Sequence, residues 1–368
     1  MSQNPQSKKT KLNDNKTTTT SSKKSVPTIN ALKSEKETSK IKDTIGKTAS
    51  VLKTGANKGV SILNGVVGDK LEEKVNSISL KMQFYKNGKP IVLTKDDIKK
   101  IHPKPSSKVC ILVHGLASDE MMWNFPQKKE NYGTLLQKDL GYTPFYLRYN
   151  SGLHISENGK NLSMLIHTLV KNYPTTIKEL VLIGHSMGGL VIRSACHYGD
   201  KQNVTWIYKI RKIIFLGSPH LGAPLEKFGN VVTNVLDKIP NPFTKIAKNI
   251  INLRSAGIKD LRYGYLIDED WKGKDPDALL TNSKNLVPLQ EGVKYYIISG
   301  TVTENPESIF ATWFGDAMVR KPSALGKSNN EKFNLPIPEE NHKEFAGIAH
   351  IALMHEPKIY DQIKEWCE

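Results

Sequence analysis

The chain has 368 residues, with 53 Lys and Arg against 36 Asp and Glu and a formal net charge of +17, a length that fits one large domain with extensions or two modest ones. No zinc-ligand spacing and no clustered arginine or aromatic motif accompanies that charge, so nucleic acid is not an expected partner. No apolar run reaches the roughly 18 residues of a membrane span, and the three well-separated cysteines suit buried thiols better than a disulfide framework or a metal site.

The charge is uneven. Residues 1–75 carry 15 lysines and no arginine against 7 acidic residues, a local charge of +8. Residues 1–40 are dominated by Lys, Ser, Thr and Asn and hold too little apolar surface to offset the entropy of ordering, which predicts a disordered tail. No apolar segment follows the early lysines as in a secretory signal, so a cytoplasmic setting is expected. Residues 41–75 differ. Ile41, Ile45, Ala49, Leu52, Ala56, Val60, Leu63, Val67 and Leu71 recur in steps of 4, 4 and 3, an 11-residue period that keeps a stripe on one side of a nearly straight helix. The pattern resembles the amphipathic repeats of lipid-surface proteins such as synucleins and perilipins, and implies contact with an anionic membrane or lipid particle. A helix docked on the folded body, or a loose linker, is the alternative.

Val75, Ile78, Met82 and Tyr85 continue the helical spacing, which predicts a helix opening the folded body of residues 76–368. Asn87-Gly88-Lys89-Pro90 reads as a turn, and residues 91–107 as a connector. Strands and helices then alternate: a strand at 109–113, a helix through Tyr132 and Leu140 ended by Gly141, and a strand at 144–147. A helix through Leu162 and Val170 comes next, then a strand at 180–183, a helix through Tyr198, and strands at 213–216 and 293–298. Short apolar runs separated by helices predict an α/β fold, a buried and mostly parallel sheet with helices on both faces. The terminal helix is expected at 358–366.

The strand at 180–183 runs into Gly184-His185-Ser186-Met187-Gly188-Gly189. A serine on so tight a strand-to-helix turn needs small neighbours, and the turn lifts its hydroxyl above the sheet edge. Such a serine needs a base, an acid to orient the base, and donors for an oxyanion. His114-Gly115-Leu116 follows the 109–113 strand, so the Leu116 and Met187 amides are the candidate oxyanion donors, with His114 a structural histidine holding its loop. The base is expected late in the chain. His350 is the choice, with His342 and His355 as rivals. Asp316 is the chosen acid, with Glu304 and Glu307 as alternatives, in the chain order Ser186, Asp316, His350. His220, among Gly and Pro after a strand, reads as part of the floor of the site.

Together, His114-Gly115-Leu116, Gly184–Gly189 and Gly217-Ser218-Pro219-His220-Leu221-Gly222-Ala223-Pro224 resemble the α/β-hydrolases, and within them the lipase and GPI inositol-deacylase-like group. Gly315-Asp316-Ala317-Met318-Val319 is similar to the acid loop of that group, and Ser323-Ala324-Leu325-Gly326 to the segment after that loop in bacterial lipases. Gly347-Ile348-Ala349-His350, with Leu353-Met354, is similar to its base loop. Ala317 departs from the Asp-Gly-x-Val form of bacterial lipases. The resemblance covers roughly residues 106–368 and implies a serine enzyme that cleaves esters without metal or organic cofactor.

After Pro224, the apolar faces Phe228 to Ile239 and Phe243 to Ile251 predict a helical cap at about 224–271. The expected activity is hydrolysis of a small-molecule or lipid carboxylic ester with an apolar acyl chain. Transfer to another acceptor, or cleavage of a thioester or polyester, uses the same groups. A lipid-surface protein with an inactive hydrolase body is the alternative from another class.

Overall fold

The computed structural model describes residues 80–223, 255–274, 284–301, 321–327 and 330–368. The expected tail (1–40), the 11-residue stripe (41–75), the paired cap helices, and Asp316, Glu304 and Glu307 lie outside the described residues.

Eight strands form one sheet: β1 (Gln83–Lys86), β2 (Lys89–Pro90), β3 (Lys108–Val113), β4 (Thr143–Arg148), β5 (Glu179–His185), β6 (Ile210–Leu216), β7 (Lys294–Thr301) and β8 (His342–Ala346). Their order is β2-β1-β4-β3-β5-β6-β7-β8. β3 to β8 pair parallel, while β1 runs antiparallel to β2 and to β4. The helices are α1 (Lys95–Ile101), α2 (Tyr132–Leu140), α3 (Ile155–Asn172), α4 (Met187–Lys201), α5 (Ala256–Tyr263) and α6 (Pro357–Cys367), with one-turn helices at Asp268–Trp271 and Lys321–Ala324. This is the α/β-hydrolase arrangement.

The two-residue period of the strands divides the core. Val109, Ile111 and Val113 of β3, Leu180 and Leu182 of β5, and Ile213 and Phe215 of β6 face one apolar layer, filled by Leu162 and Ile166 of α3 and Leu190 and Ala195 of α4. Cys110, Leu112, Val181, Ile183, Ile214 and Leu216 face the other, against Tyr132 and Leu136 of α2 and Ile359 and Ile363 of α6. Strands buried on both faces must be apolar throughout, which is why these runs show no polar alternation. All three thiols are buried and unpaired by disulfides.

The helix expected through Tyr85 is corrected over residues 83–86. They form β1, in which Phe84 is buried and its neighbours are half-buried. Asn87 and Gly88 sit at φ 51° and 74°, the doubly left-handed turn that closes a two-residue hairpin, so the helical spacing yields to turn chemistry. The 91–107 connector contains α1. Thr94 caps it, accepting from the Asp97 amide at 3.1 Å and donating to the Asp97 carboxylate at 2.7 Å, and Ile98 is its one buried anchor.

The carboxyl edge of β3 and β4 is tied by a buried ion pair. Arg148 donates to both carboxylate oxygens of Glu120, from Nε at 2.5 Å and from its second nitrogen. The guanidinium also lies over the Tyr85 ring, 4.1 Å from its centroid. Both side chains are almost fully enclosed, so removing one leaves the other charge stranded. Glu120→Ala is expected to destabilise the fold by roughly 3–5 kcal/mol, read as a lowered urea midpoint, and Glu120→Ala combined with Arg148→Met should recover most of that loss.

Candidate active site

β5 ends at His185 and α4 starts at Met187, leaving Ser186 alone at the turn with φ 53° and ψ −123°. Left-handed backbone at a residue with a Cβ costs on the order of 1–3 kcal/mol and persists only when its surroundings fix it. Two backbone bonds do so: the Ser186 amide donates to the Leu216 carbonyl at 2.8 Å, and the Gly189 amide to the Ser186 carbonyl at 3.1 Å. The glycines make the room. A Cβ on Gly184 would stand 2.7 Å from the Gly189 backbone, and one on Gly188 would collide with the Val113 and His114 carbonyl oxygens.

The loop after β3 passes directly over this turn. A Cβ on Gly115 would lie 3.1 Å from both the Ser186 Cβ and the His185 ring. The His114 ring is fully buried and stacks on Tyr149, with centroids 4.4 Å apart. Its Nδ1 donates to the Gly115 carbonyl at 2.8 Å, and the Tyr149 hydroxyl donates to the His114 carbonyl at 2.9 Å. In a trans peptide the carbonyl and the following N–H point oppositely. Holding the Gly115 oxygen therefore turns the Leu116 N–H the other way. Met187 opens α4, where amides lack intrahelical partners. Neither the Leu116 nor the Met187 amide donates to another group among the described residues. Ala117 also has positive φ, 53°, a conformation that costs roughly 1–2 kcal/mol without glycine.

His350 reaches the same edge from the loop after β8. Its ring lies against Gly217, where a Cβ would stand 2.8 Å from Nδ1. Gly217 follows Leu216, the residue that accepts from Ser186, so the base candidate and the serine each pack against the end of β6. The His185 Nε2 donates to the His350 carbonyl at 2.9 Å, with the two rings 4.7 Å apart. His185 is thus a strut between the serine turn and the base loop, a role its place inside the Gly-x-Ser-x-Gly pattern did not reveal. His342 is the first residue of β8, paired with Ile297. It is a strand residue rather than one of the loop beyond the strand. The Tyr132 hydroxyl ties down the turn after His350, donating to the Leu353 carbonyl at 3.0 Å and accepting from the Glu356 amide at 2.9 Å.

His220 is buried edge-on against Phe215, 4.5 Å between centroids. Its backbone N–H donates to the Ser323 carbonyl at 3.1 Å. The Ser323 hydroxyl donates to the Gly222 carbonyl at 2.7 Å and accepts from the Leu221 amide at 3.1 Å. Ser323 therefore staples the Gly217–Ala223 stretch. Residues 255–271, included in the expected cap, lie against the body. Leu261 and Leu266 are buried, and Asp260 accepts from the Ile155 amide at 2.7 Å and from His154 at 3.1 Å. The Ala223 amide donates to the Leu261 carbonyl at 3.0 Å, which ties the end of the Gly217–Ala223 stretch to α5.

Burial sets the charge state of the histidines. Desolvation lowers His114 and His350 to about 4 and pushes His185 and His220 well below the ordinary histidine value. All four are neutral at pH 7, and the His350 ring and Ser186 both lie at the end of β6, through Gly217 and Leu216. Burial also makes stability pH-dependent. Between the ordinary value and about 4, the unfolded chain binds protons that the folded His114 and His350 refuse, so stability falls as pH falls, by up to about 1.4 kcal/mol per pH unit for each. Urea unfolding at pH 5 should give a free energy below that at pH 7 by roughly 2–4 kcal/mol from His114 and His350 together, with His185 and His220 adding in the same direction.

Residues 147–299 match the PGAP1-like alpha/beta domain family. No curated protein matches the chain. Similar solved structures include a mature lipase of Bacillus licheniformis, 14% identical over 72% of this chain and 94% of that one, with a TM-score of 0.44. An esterase of Pyrococcus furiosus is 16% identical over 71% and 81%, with a TM-score of 0.41. A lipase B of Aspergillus fumigatus is 11% identical over 76% and 54%, with a TM-score of 0.41. Among the described residues, no helix is long and apolar enough to cross a membrane.

Proposed function

We propose, for an α/β-hydrolase fold that carries a PGAP1-like alpha/beta stretch, that this chain is a serine hydrolase of carboxylic esters with apolar acyl chains. The observation that carries the reading is Ser186 at φ 53° at the head of α4, with the His350 ring against Gly217 on the neighbouring strand end. Ser186 Oγ attacks the ester carbonyl carbon as neutral His350 takes the hydroxyl proton. The carbonyl π pair moves to oxygen, where the Leu116 and Met187 amides hold the oxyanion. Its collapse breaks the bond to the alkoxide, which leaves with the proton from His350. Water, deprotonated by the same imidazole, then releases the acid and restores Ser186. Asp316 completes the reading as the carboxylate that orients His350 and offsets its transient charge.

A fluorophosphonate probe is expected to label Ser186 and to fail on Ser186→Ala, with mass spectrometry identifying the peptide. On p-nitrophenyl esters, Ser186→Ala and His350→Ala should lower kcat by about 10³-fold or more. Asp316→Ala should lower it by about 10²–10⁴-fold, whereas Glu304→Ala and Glu307→Ala leave it near wild type. Labelling of the folded protein at another residue, or full turnover by Ser186→Ala, would refute the proposal.

A further inference from the structure

The loop after β4 grips the loop after β3 at a point the reaction depends on. Beyond the two Tyr149 contacts on His114, the Ala117 amide donates to Ser151 Oγ at 2.9 Å. Leu116 therefore lies between two fixed peptides. Its preceding carbonyl is held by His114, and its following N–H by Ser151. The Ser151 tether also works against a conformational preference, because Ala117 is left-handed and carries a Cβ. The net gain from one hydrogen bond is comparable to that preference, so the tether decides which way the Leu116–Ala117 peptide faces.

Ser151 is itself clamped. The Gly152 amide donates to Asn150 Oδ1 at 3.0 Å, and the Asn150 carbonyl accepts from Asn158 Nδ2 at 2.9 Å. From above, the Gly257 amide of α5 donates to the Gly152 carbonyl at 3.0 Å. Only glycine fits there: a Cβ on Gly257 would collide with the Ser151 carbonyl oxygen and stand 3.0 Å from the Met187 Cε. The first turn of α5 thus rests at once on the Ser151 loop and on the side chain of Met187, the residue whose amide is the second oxyanion donor.

We propose that Ser151 is a positioning residue for the oxyanion donors and that Gly257, at the start of the helix returning from the insertion, holds it in place. The inference rests on the ester-hydrolase reading above. It gives α5 a part in transition-state binding without any contact to the reacting atoms.

The test uses the full chain with p-nitrophenyl butyrate, and with a trifluoromethyl ketone that adds to the serine as an oxyanion-bearing adduct. Ser151→Ala is expected to lower kcat by about 10–100-fold, less than outright loss of a donor, with KM within about twofold and a matching loss of ketone affinity. Glycine accepts positive φ freely, so Ala117→Gly placed in the Ser151→Ala background should recover kcat by several-fold. Gly257→Ala leaves the hydroxyl present but displaces its loop, and should show the same kcat-selective loss. If Ser151→Ala fails to fold, Gly257→Ala alone and combined with Ala117→Gly carries the same comparison. Wild-type kcat in Ser151→Ala, a loss confined to KM, or a loss that Ala117→Gly does not relieve would overturn the inference. Turnover that depends on Ser186 while ignoring Ser151 sinks only this inference; turnover that ignores Ser186 sinks the hydrolase reading with it.

Discussion

A single non-glycine residue held at positive φ organises the carboxyl edge of this sheet. Ser186 can keep φ 53° only while β6 accepts its amide through Leu216 and α4 starts immediately behind it. That forces α4 against the end of β3, leaving no space for a side chain at Gly188. The same approach brings the β3 loop over the serine and the His350 ring against Gly217. The local strain and the convergence of loops are therefore one constraint seen at two scales. Ser186, almost fully enclosed, stands where that strand passes directly into that helix.

The parallel sheet was legible because burial on both faces leaves unbroken apolar runs, and β3, β5 and β6 lie where those runs fall. Gly141 marked the end of α2 because left-handed backbone, φ 73° here, favours glycine at a helix end. The β1 segment misled because Val75, Ile78, Met82 and Tyr85 satisfy a helical period by spacing alone. Pairing with β4, a partner some 60 residues onward, is a non-local fact that no window of spacing contains. α1 was missed inside the 91–107 connector because one buried isoleucine makes no stripe, and its only local signal is the Thr94 and Asp97 cap. In the candidate site, the places of Ser186, Met187, Leu116 and His350 at the carboxyl edge follow from strand ends and turn residues. His185, Tyr149, Ser151 and Gly257 do not. Their roles consist of contacts between loops distant in sequence, such as the 165-residue separation of His185 and His350.

The electrostatics of the edge follow from burial more than from charge. Four neutral imidazoles crowd a region with little exposed surface, while the charged Glu120 and Arg148 lie one strand away, paired to each other. Burial disfavours the cation each ring would become, while neighbours that are neutral as well add no standing repulsion to it. His185 and His114 donate to backbone carbonyls, which fixes their tautomers and makes them struts rather than competing bases.

The joining of Ala223 to Leu261 has a wider consequence. Ala223 and Leu261 both lie in the body, and that bond fixes the spacing between the stretches on either side of residues 224–254. Once the ends of a loop are fixed by the body, the entropy of closure grows only with the logarithm of its length, about 0.6 kcal/mol per doubling. A segment joined at such a fixed junction can be shortened or lengthened at small thermodynamic expense. The junction thus separates the length of what joins it from the Ser186 turn and the Ser151 clamp, whose contacts are made within the body.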